Sequence, residues 1–420
     1  MTSNYQIPVD HGTDNSLQLL MEGYHYIPNR CRKYNTKIFE THILGGQKAI
    51  CIQGKEAAEI FYDNERFQRK GAAPPRIQKS LFGVNAVQTM DGKAHQHRKK
   101  LFMSLMTPER IQLLKEITEQ QWDIAIDKWE NMDGRIELFT ETEEMMTRIA
   151  CQWAGVPLRA SELTARASDL GALIDAFGAV GPRHWHGRIA RPRIEAWIMN
   201  VIDQVRNGNL KPPEDTPLHA FSWHRDLNGN LLSTNMAAVE LINIIRPIVA
   251  IGRYITFGAL ALHDYPETKE KLQEDDGTYS QMFVQEVRRY YPFGPFLGAR
   301  VKKDFTWNGH AFKQGTMVLL DIYGTNHDPE LWDNPDRFYP ERFYNWEGSP
   351  FDFIPQGGGD YHMGHRCAGE WVTIEVMKTS LDIMAKKLAY SVPDQNLEFS
   401  MVRMPSIPKS RFIIENVRRI

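Results

Sequence analysis

The stretch from Asn235 to His263 reads as one long helix that is apolar on nearly every side. A helix without a polar face has to be buried, so the rest of the chain must wrap around it. A chain of 420 residues is long enough to do so. The middle of this helix is Leu241-Ile242-Asn243-Ile244-Ile245-Arg246-Pro247-Ile248-Val249-Ala250-Ile251-Gly252. Two of its residues are unfavourable there. A proline inside a helix costs ~3 kcal/mol and frees a backbone carbonyl, and a buried arginine without a partner costs several kcal/mol more. One reading is an arginine that snorkels to the surface beside a proline that only kinks the helix. The other is an Arg246 with a fixed anionic partner, which so apolar a setting demands.

A second stretch carries reactive chemistry. Ile354 to Gly369 reads Ile-Pro-Gln-Gly-Gly-Gly-Asp-Tyr-His-Met-Gly-His-Arg-Cys-Ala-Gly. Three consecutive glycines allow turns that side chains resist, and such a loop can lie flat against a large planar ligand. From Glu370 the pattern turns helical, with Ile374, Met377, Leu381, Met384 and Leu388 at three- and four-residue steps. Cys367 therefore sits at a helix mouth, where N–H groups and the helix dipole favour a thiolate suited to an axial bond to haem iron. A lone cysteine is ordinarily a small buried hydrophobe, so its flanks matter.

Those flanks, His365-Arg366-Cys367-Ala368-Gly369, resemble the haem-thiolate signature of the cytochrome P-450 superfamily. Glu286-Val287-Arg288-Arg289 matches its Glu-x-x-Arg motif and Pro340-Glu341-Arg342-Phe343 its Pro-Glu-Arg-Phe, both upstream and in order. Glu-x-x-Arg alone is weak, because any helix can carry an i,i+3 ion pair. Three motifs in register are a strong signal. Monooxygenases of the superfamily carry an acid–threonine pair on the long helix, and this chain has Arg246-Pro247 instead, which resembles the fatty-acid peroxygenase branch. Phe293 to Arg300 and the lengthened loop Gln356 to Gly359 also look typical of that branch, and Asp360 to Met363 departs from the superfamily's common loop pattern.

The resemblance implies a mainly α fold with small β-sheets, haem lying between the long helix and the Cys-loop helix. It implies a single catalytic domain over residues 1–420, without a reductase or membrane-anchor domain. Haem b would be bound through Cys367, with Gly358 and His365 in the loop and a propionate held by His95 and Lys99. His95 and Lys99 share one helix face four residues apart, although the family more often has Arg at the second position. Arg246 would bind a fatty-acid carboxylate, with Arg246, Pro247 and Gln88 forming the distal catalytic set. Leu81, Phe82, Phe177 and Phe293 are candidates for the apolar channel, each of them also readable as plain core. Glu286, Arg289 and Arg342 would form a structural ion triad.

Composition agrees and excludes other classes. Hydrophobic residues make up 42% and charged residues 24%, as in an ordinary globular protein, and the net charge of −2 gives no pull toward nucleic acid or anionic membranes. Cys31, Cys51, Cys151 and Cys367 are scattered, without zinc or disulfide spacing. Met1 to Asp14 lacks the apolar core of a signal peptide, and no run of 18 apolar residues predicts a spanning helix. A soluble cytoplasmic protein is expected. No flavin or NAD fingerprint and no ferredoxin-like cysteine cluster is present, so any electron donor is a separate protein or unnecessary.

Along the chain, a hairpin is expected at 37–52 around Gly45-Gly46, helices at 55–64 and from Asp91-Gly92, and a loop with apolar side chains at 80–90. Thr107-Pro108-Glu109 opens a helix to about Asn131, followed by helices at 137–154 and 161–176. Phe177 to Pro182 reads as a loop, Ile194 to Asn207 as a helix and Lys211 to Pro217 as a surface loop.

Peroxide chemistry requires a general acid–base to move a proton between two oxygens. Asn243, Arg246 and Pro247 cannot supply one. A fatty-acid carboxylate paired with the planar, always-charged fork of Arg246 could. The same pairing would hold carbons 2 and 3 near the iron, which predicts α- or β-hydroxylation. In the branch that the chain resembles, Gln at the Gln88 position goes with hydroxylation and His with decarboxylation to terminal alkenes; Gln has no titrating group. Hydroxylation is expected, with decarboxylation minor. Other readings are a reductase-dependent monooxygenase, a lipid-hydroperoxide isomerase or dehydratase, and a non-catalytic haem fatty-acid sensor.

Overall fold

The computed structural model describes residues 6–132 and 134–420; the first five residues of the polar N-terminal stretch lie outside it. The long apolar helix forms as expected, over Thr234–Asp264. The Ser233 side chain caps it by accepting from the Met236 N–H at 3.2 Å. It is the one helix among the described residues long and apolar enough to cross a membrane, but 94% of its most apolar window is buried inside the protein. Around it pack Leu138–Ala154, Leu163–Asp175, Pro182–Arg206 and Glu370–Lys386. Gly258 allows the last of these to approach closely, since a Cβ there would stand 2.5 Å from Leu381 Cδ2. The architecture is mainly α with small sheets, and one large apolar cluster runs through the helices.

The hairpin expected at 37–52 is Ile38–Ile43 paired antiparallel with Gln47–Ile52. It belongs to a five-stranded sheet in the order Ile38–Ile43, Gln47–Ile52, Met317–Asp321, Phe296–Val301, Phe67–Gln68. Only the pairing of Gln47–Ile52 with Met317–Asp321 is parallel. A three-stranded sheet joins the C-terminal strand Ile413–Arg419 to Leu388–Ser391 and Ile136–Glu137.

Most expected helices are present, including Gly92–Ser104 and Pro108–Glu130 with Thr107 as its N-cap. Three expectations need correction. The helix expected from Ile194 begins at Pro182 and runs to Arg206 with Pro192 inside it. One proline removes one internal hydrogen bond, and burial of Gly187, Ala190, Arg191 and Ile194 outweighs that loss. A short helix, Pro217–Trp223, follows the 211–217 loop, capped by Thr216 and opened by Pro217. The apolar loop at 80–90 is locally helical at Gln78–Phe82 and Val87–Thr89. Gly83 follows the first turn at φ +90°, where a Cβ would stand 2.5 Å from Arg191 Nη2 and Val239 Cγ1.

Candidate active site

Two stretches, the Cys367 loop and the middle of the central helix, face each other inside the molecule. On the loop side, the Cys367 N–H donates to the Gln356 carbonyl at 3.1 Å, and the Gln356 amide reaches the Cys367 sulfur at 3.8 Å. The helix that follows starts at Glu370 with Gly369 as its N-cap. Burial raises the thiol pKa, while Lys99 and the Gly369 N–H oppose it. The helix mouth thus helps a thiolate less than burial hinders it, and a metal cation bonded to sulfur would reverse that balance.

Behind the loop lies an ion network that the sequence reading did not anticipate. Arg288 donates to Glu370 at 2.6 Å and to the Gln356 side chain at 2.9 Å, and Arg366 pairs with Glu370 at 2.6 Å. Glu370 is held below the usual carboxylate range by these two arginines, against the effect of its burial. Gly358 lies where a Cβ would stand 2.6 Å from the Pro350 carbonyl and 3.2 Å from Tyr62, so the glycine run is also required by contacts within the protein.

The Glu286–Arg289–Arg342 group sits close by. Arg289 grips both Glu286 oxygens, at 2.7 and 2.8 Å, and Arg342 approaches Glu286 at 3.1 Å. Arg289 also donates to the carbonyls of Asn326 and Pro335, and Arg342 to that of Asp333, which ties the Thr278–Tyr290 helix to the following coil.

On the helix side, Arg246 is buried and makes no ion pair among the described residues. Its Nη2 donates to Asn243 Oδ1 at 3.3 Å, and its Nε has no partner. Burial and the neighbouring Arg191 push its pKa down to about 9, and the Cys367 sulfur acts in the opposite direction. Asn243 donates to the Phe82 carbonyl at 2.9 Å, and Arg191 donates to that of Leu81 at 2.9 Å. Leu81, Phe82 and Arg246 are thereby brought together. Gln88 is half-buried with its Oε1 unpartnered. Phe293 instead stacks on Tyr254 at 4.8 Å. Phe177 lies just past the end of Leu163–Asp175, and among the described residues no hydrogen bond or ring contact joins it to Arg246. Glu240, fully buried one turn before Asn243, escaped the sequence reading. Its signal was an acid inside an otherwise apolar helix.

Basic side chains line the edge between the two stretches. His95 stacks on His365 with ring centroids 3.9 Å apart, and burial pushes their pKa values down to about 3 and about 4. Lys99 donates to the Arg366 carbonyl and has no carboxylate partner, and buried Arg69 likewise makes no ion pair among the described residues. A half-buried sulfur, an arginine on the facing helix without an ion pair, and an edge of cations without carboxylate partners fit an anionic planar iron group. Cys367 would ligate its iron, and Lys99, His95 and Arg69 would meet its carboxylates.

The family profile described as Cytochrome P450 matches residues 255–410. Among curated proteins, the chain is 24% identical to protopanaxadiol 6-hydroxylase of Panax ginseng, over 84% of this chain and 79% of that protein. It is 27% identical to mitochondrial cytochrome P450 4e5 of Drosophila mettleri, where the match spans 28% of that relative's length. Solved structures are more similar. Cytochrome P450EX alpha (CYP152N1), with myristic acid, is 46% identical with a TM-score of 0.96, covering 99% of this chain and 100% of that one. Ligand-free cytochrome P450 OleT is 41% identical with a TM-score of 0.96, covering 99% of both chains. Full-length identity at this level, with the sulfur, the triad and the arginine in place, leaves one assignment: the chain belongs to the cytochrome P450 family, in its fatty-acid peroxygenase branch.

Proposed function

We propose that this chain is a haem-thiolate peroxygenase that hydroxylates medium- or long-chain fatty acids at the α or β carbon, with hydrogen peroxide as co-substrate. The observation that carries this reading is Arg246, buried in the central helix with no protein carboxylate to neutralise it. P450EX alpha holds myristic acid, and an OleT variant holds arachidonic acid; a fatty acid here would supply the missing anion. When bound, haem b supplies the oxidising iron, and its thiolate ligand favours cleavage of the peroxide bond.

The protein's own part is binding and orientation. The Arg246 fork takes the carboxylate in two parallel hydrogen bonds, which fixes how far carbons 2 and 3 lie from the iron. The carboxylate is then the proton carrier of the site. Asn243, Pro247 and Gln88 do not titrate, and Glu240 is engaged by Arg98 and the Val87 N–H. Leu81 and Phe82, drawn toward Arg246 through Arg191 and Asn243, would form the start of the apolar channel. His365 and Gly358 would pack the loop beneath the haem. Phe177 would lie farther along the substrate path, and Phe293 would close its edge with Tyr254. Glu286, Arg289 and Arg342 would serve folding and haem retention. The chain would act as a single catalytic domain in the cytoplasm, without an obligatory redox partner or a nucleic-acid partner.

The test is Arg246→Ala in haem-loaded protein. It should keep its haem and lose most peroxide-driven fatty-acid turnover; turnover at the wild-type rate would overturn the carboxylate anchor.

A further inference from the structure

One buried acid of the central helix has no part in the chemistry above. Glu240 is 0% exposed, and each of its oxygens has its own partners. Oε1 accepts from Arg98 Nη1 at 2.6 Å and from the Val87 N–H at 3.0 Å. Oε2 accepts from Asn243 Nδ2 at 3.4 Å. The Asn243 amide has a fixed sense: its nitrogen donates to Glu240 and to the Phe82 carbonyl, and its oxygen accepts from Arg246. The three side chains occupy positions i, i+3 and i+6, a slanting row on one side of the helix. Arg98, from Gly92–Ser104, brings the counter-charge. Gln88, next to Val87, lies in the turn that Glu240 holds.

Resting on the function proposed above, we infer that Glu240 is a positioning residue for it: through Asn243 it sets the direction of the Arg246 guanidinium, and through the Val87 N–H it sets the place of Gln88. Burying a carboxylate is unfavourable unless its lone pairs are used, and here donors from two helices and one loop use them. An apolar residue at position 240 would fill the space equally well but would leave Arg98 and the Val87 N–H without that acceptor and the Asn243 amide with the Phe82 carbonyl alone. The arrangement is therefore costly to alter at one point and local in what it orients.

The discriminating variant is Glu240→Gln, which keeps shape and changes one atom's sense. If its Oε1 keeps Val87 and Arg98, its Nε2 meets the Asn243 amide nitrogen, donor against donor. Asn243 must then turn, and its NH2 group faces Arg246. Asn243→Ala breaks the same relay without touching the Glu240–Arg98 pair, and serves if Glu240→Gln folds poorly.

The experiment titrates haem-loaded wild type, Glu240→Gln and Asn243→Ala with myristic acid. The readout is the ferric spin-state change, with melting temperature and haem content recorded in parallel. Both variants should keep haem and bind myristate about tenfold more weakly, the usual scale for removing an orienting partner. In an Arg246→Ala background, Glu240→Gln should cause no further loss, because the residue it acts through is gone. Where turnover is measured, the ratio of 2- to 3-hydroxy product should shift in both variants. Myristate affinity within twofold of wild type in both variants would overturn the inference, as would an equal loss with Arg246 present or absent. Wild type that binds myristate but yields no peroxide product would instead overturn the peroxygenase reading and leave the binding comparison valid.

Discussion

Arg246 and Asn243 share a single hydrogen bond, Nη2 to Oδ1 at 3.3 Å, and among the described residues it is the only one the Arg246 side chain makes. The Nε has no partner in the fold, so an anion from outside it would find donors free.

A stability consequence follows. Burial lowers the Arg246 pKa from 12.5 to about 9. A cation whose folded pKa is lowered destabilises the fold fully below about 9, and the penalty fades as pH rises from there toward 12.5. At 1.36 kcal/mol per pH unit the penalty has an upper bound of ~5 kcal/mol. Arg246→Leu should therefore raise the melting temperature of substrate-free holoprotein at pH 7 by ~2–5 °C. Myristate should narrow the gap, because only wild type gains the ion pair. Calorimetry with and without myristate checks this; a lower melting temperature for the variant contradicts it.

Gln88→His places a titrating group where the native side chain leaves Oε1 unpartnered. The proportion of one-carbon-shorter terminal alkene should rise at the expense of hydroxy acid, as read by mass spectrometry. An unchanged product ratio counts against a role for this position in the outcome.

The long helix, the hairpin and the Cys367 loop were legible from sequence because each has a local cause: unbroken apolarity, a Gly-Gly turn, a glycine run before a helix. The ion triad was legible only through the family resemblance, since Arg342 lies far from Glu286 in sequence. What was missed depends on tertiary contact. Gly187 and Pro192 broke the pattern of the Pro182–Arg206 helix, whose burial against its neighbours stabilises it. Glu240 and Arg98 are distant in sequence and unremarkable apart. Their significance lies in a 2.6 Å contact across two helices. Likewise, Arg288 occupies an unspecified position of Glu-x-x-Arg, yet it holds Glu370 and Gln356 behind the sulfur.

Glu286→Ala would leave Arg289 and Arg342 without the carboxylate that both contact. Removing one partner of a buried ion group costs ~3–5 kcal/mol. The variant should express with low haem content and a lowered melting transition, checked by the reduced carbon monoxide spectrum per milligram. Full haem content would contradict the structural role.

Asp321 caps the Ile322–Asn326 helix through one oxygen, 2.8 Å from the Gly324 N–H, while its Oδ2 is buried without a partner. Burial raises its pKa to about 8, and Asp328 adds to the effect. The folded state then binds a proton that the unfolded state has released, so stability falls as pH rises between about 4 and about 8. Asp321→Asn keeps the cap and removes the titration. Its denaturation midpoint should vary less than that of wild type between pH 5 and pH 8; matching pH profiles would contradict the assignment.

The central claim, that a buried arginine recruits a fatty-acid carboxylate to complete a peroxide-using haem site, is tested most directly by one incubation. Purified haem-loaded protein is given myristic acid and hydrogen peroxide without reductase, and products are read by mass spectrometry. Hydroxylation at carbon 2 or 3 is the expected result. No product, from protein whose reduced carbon monoxide spectrum shows thiolate-ligated haem, would contradict the claim and favour a reductase-dependent enzyme on the same fold.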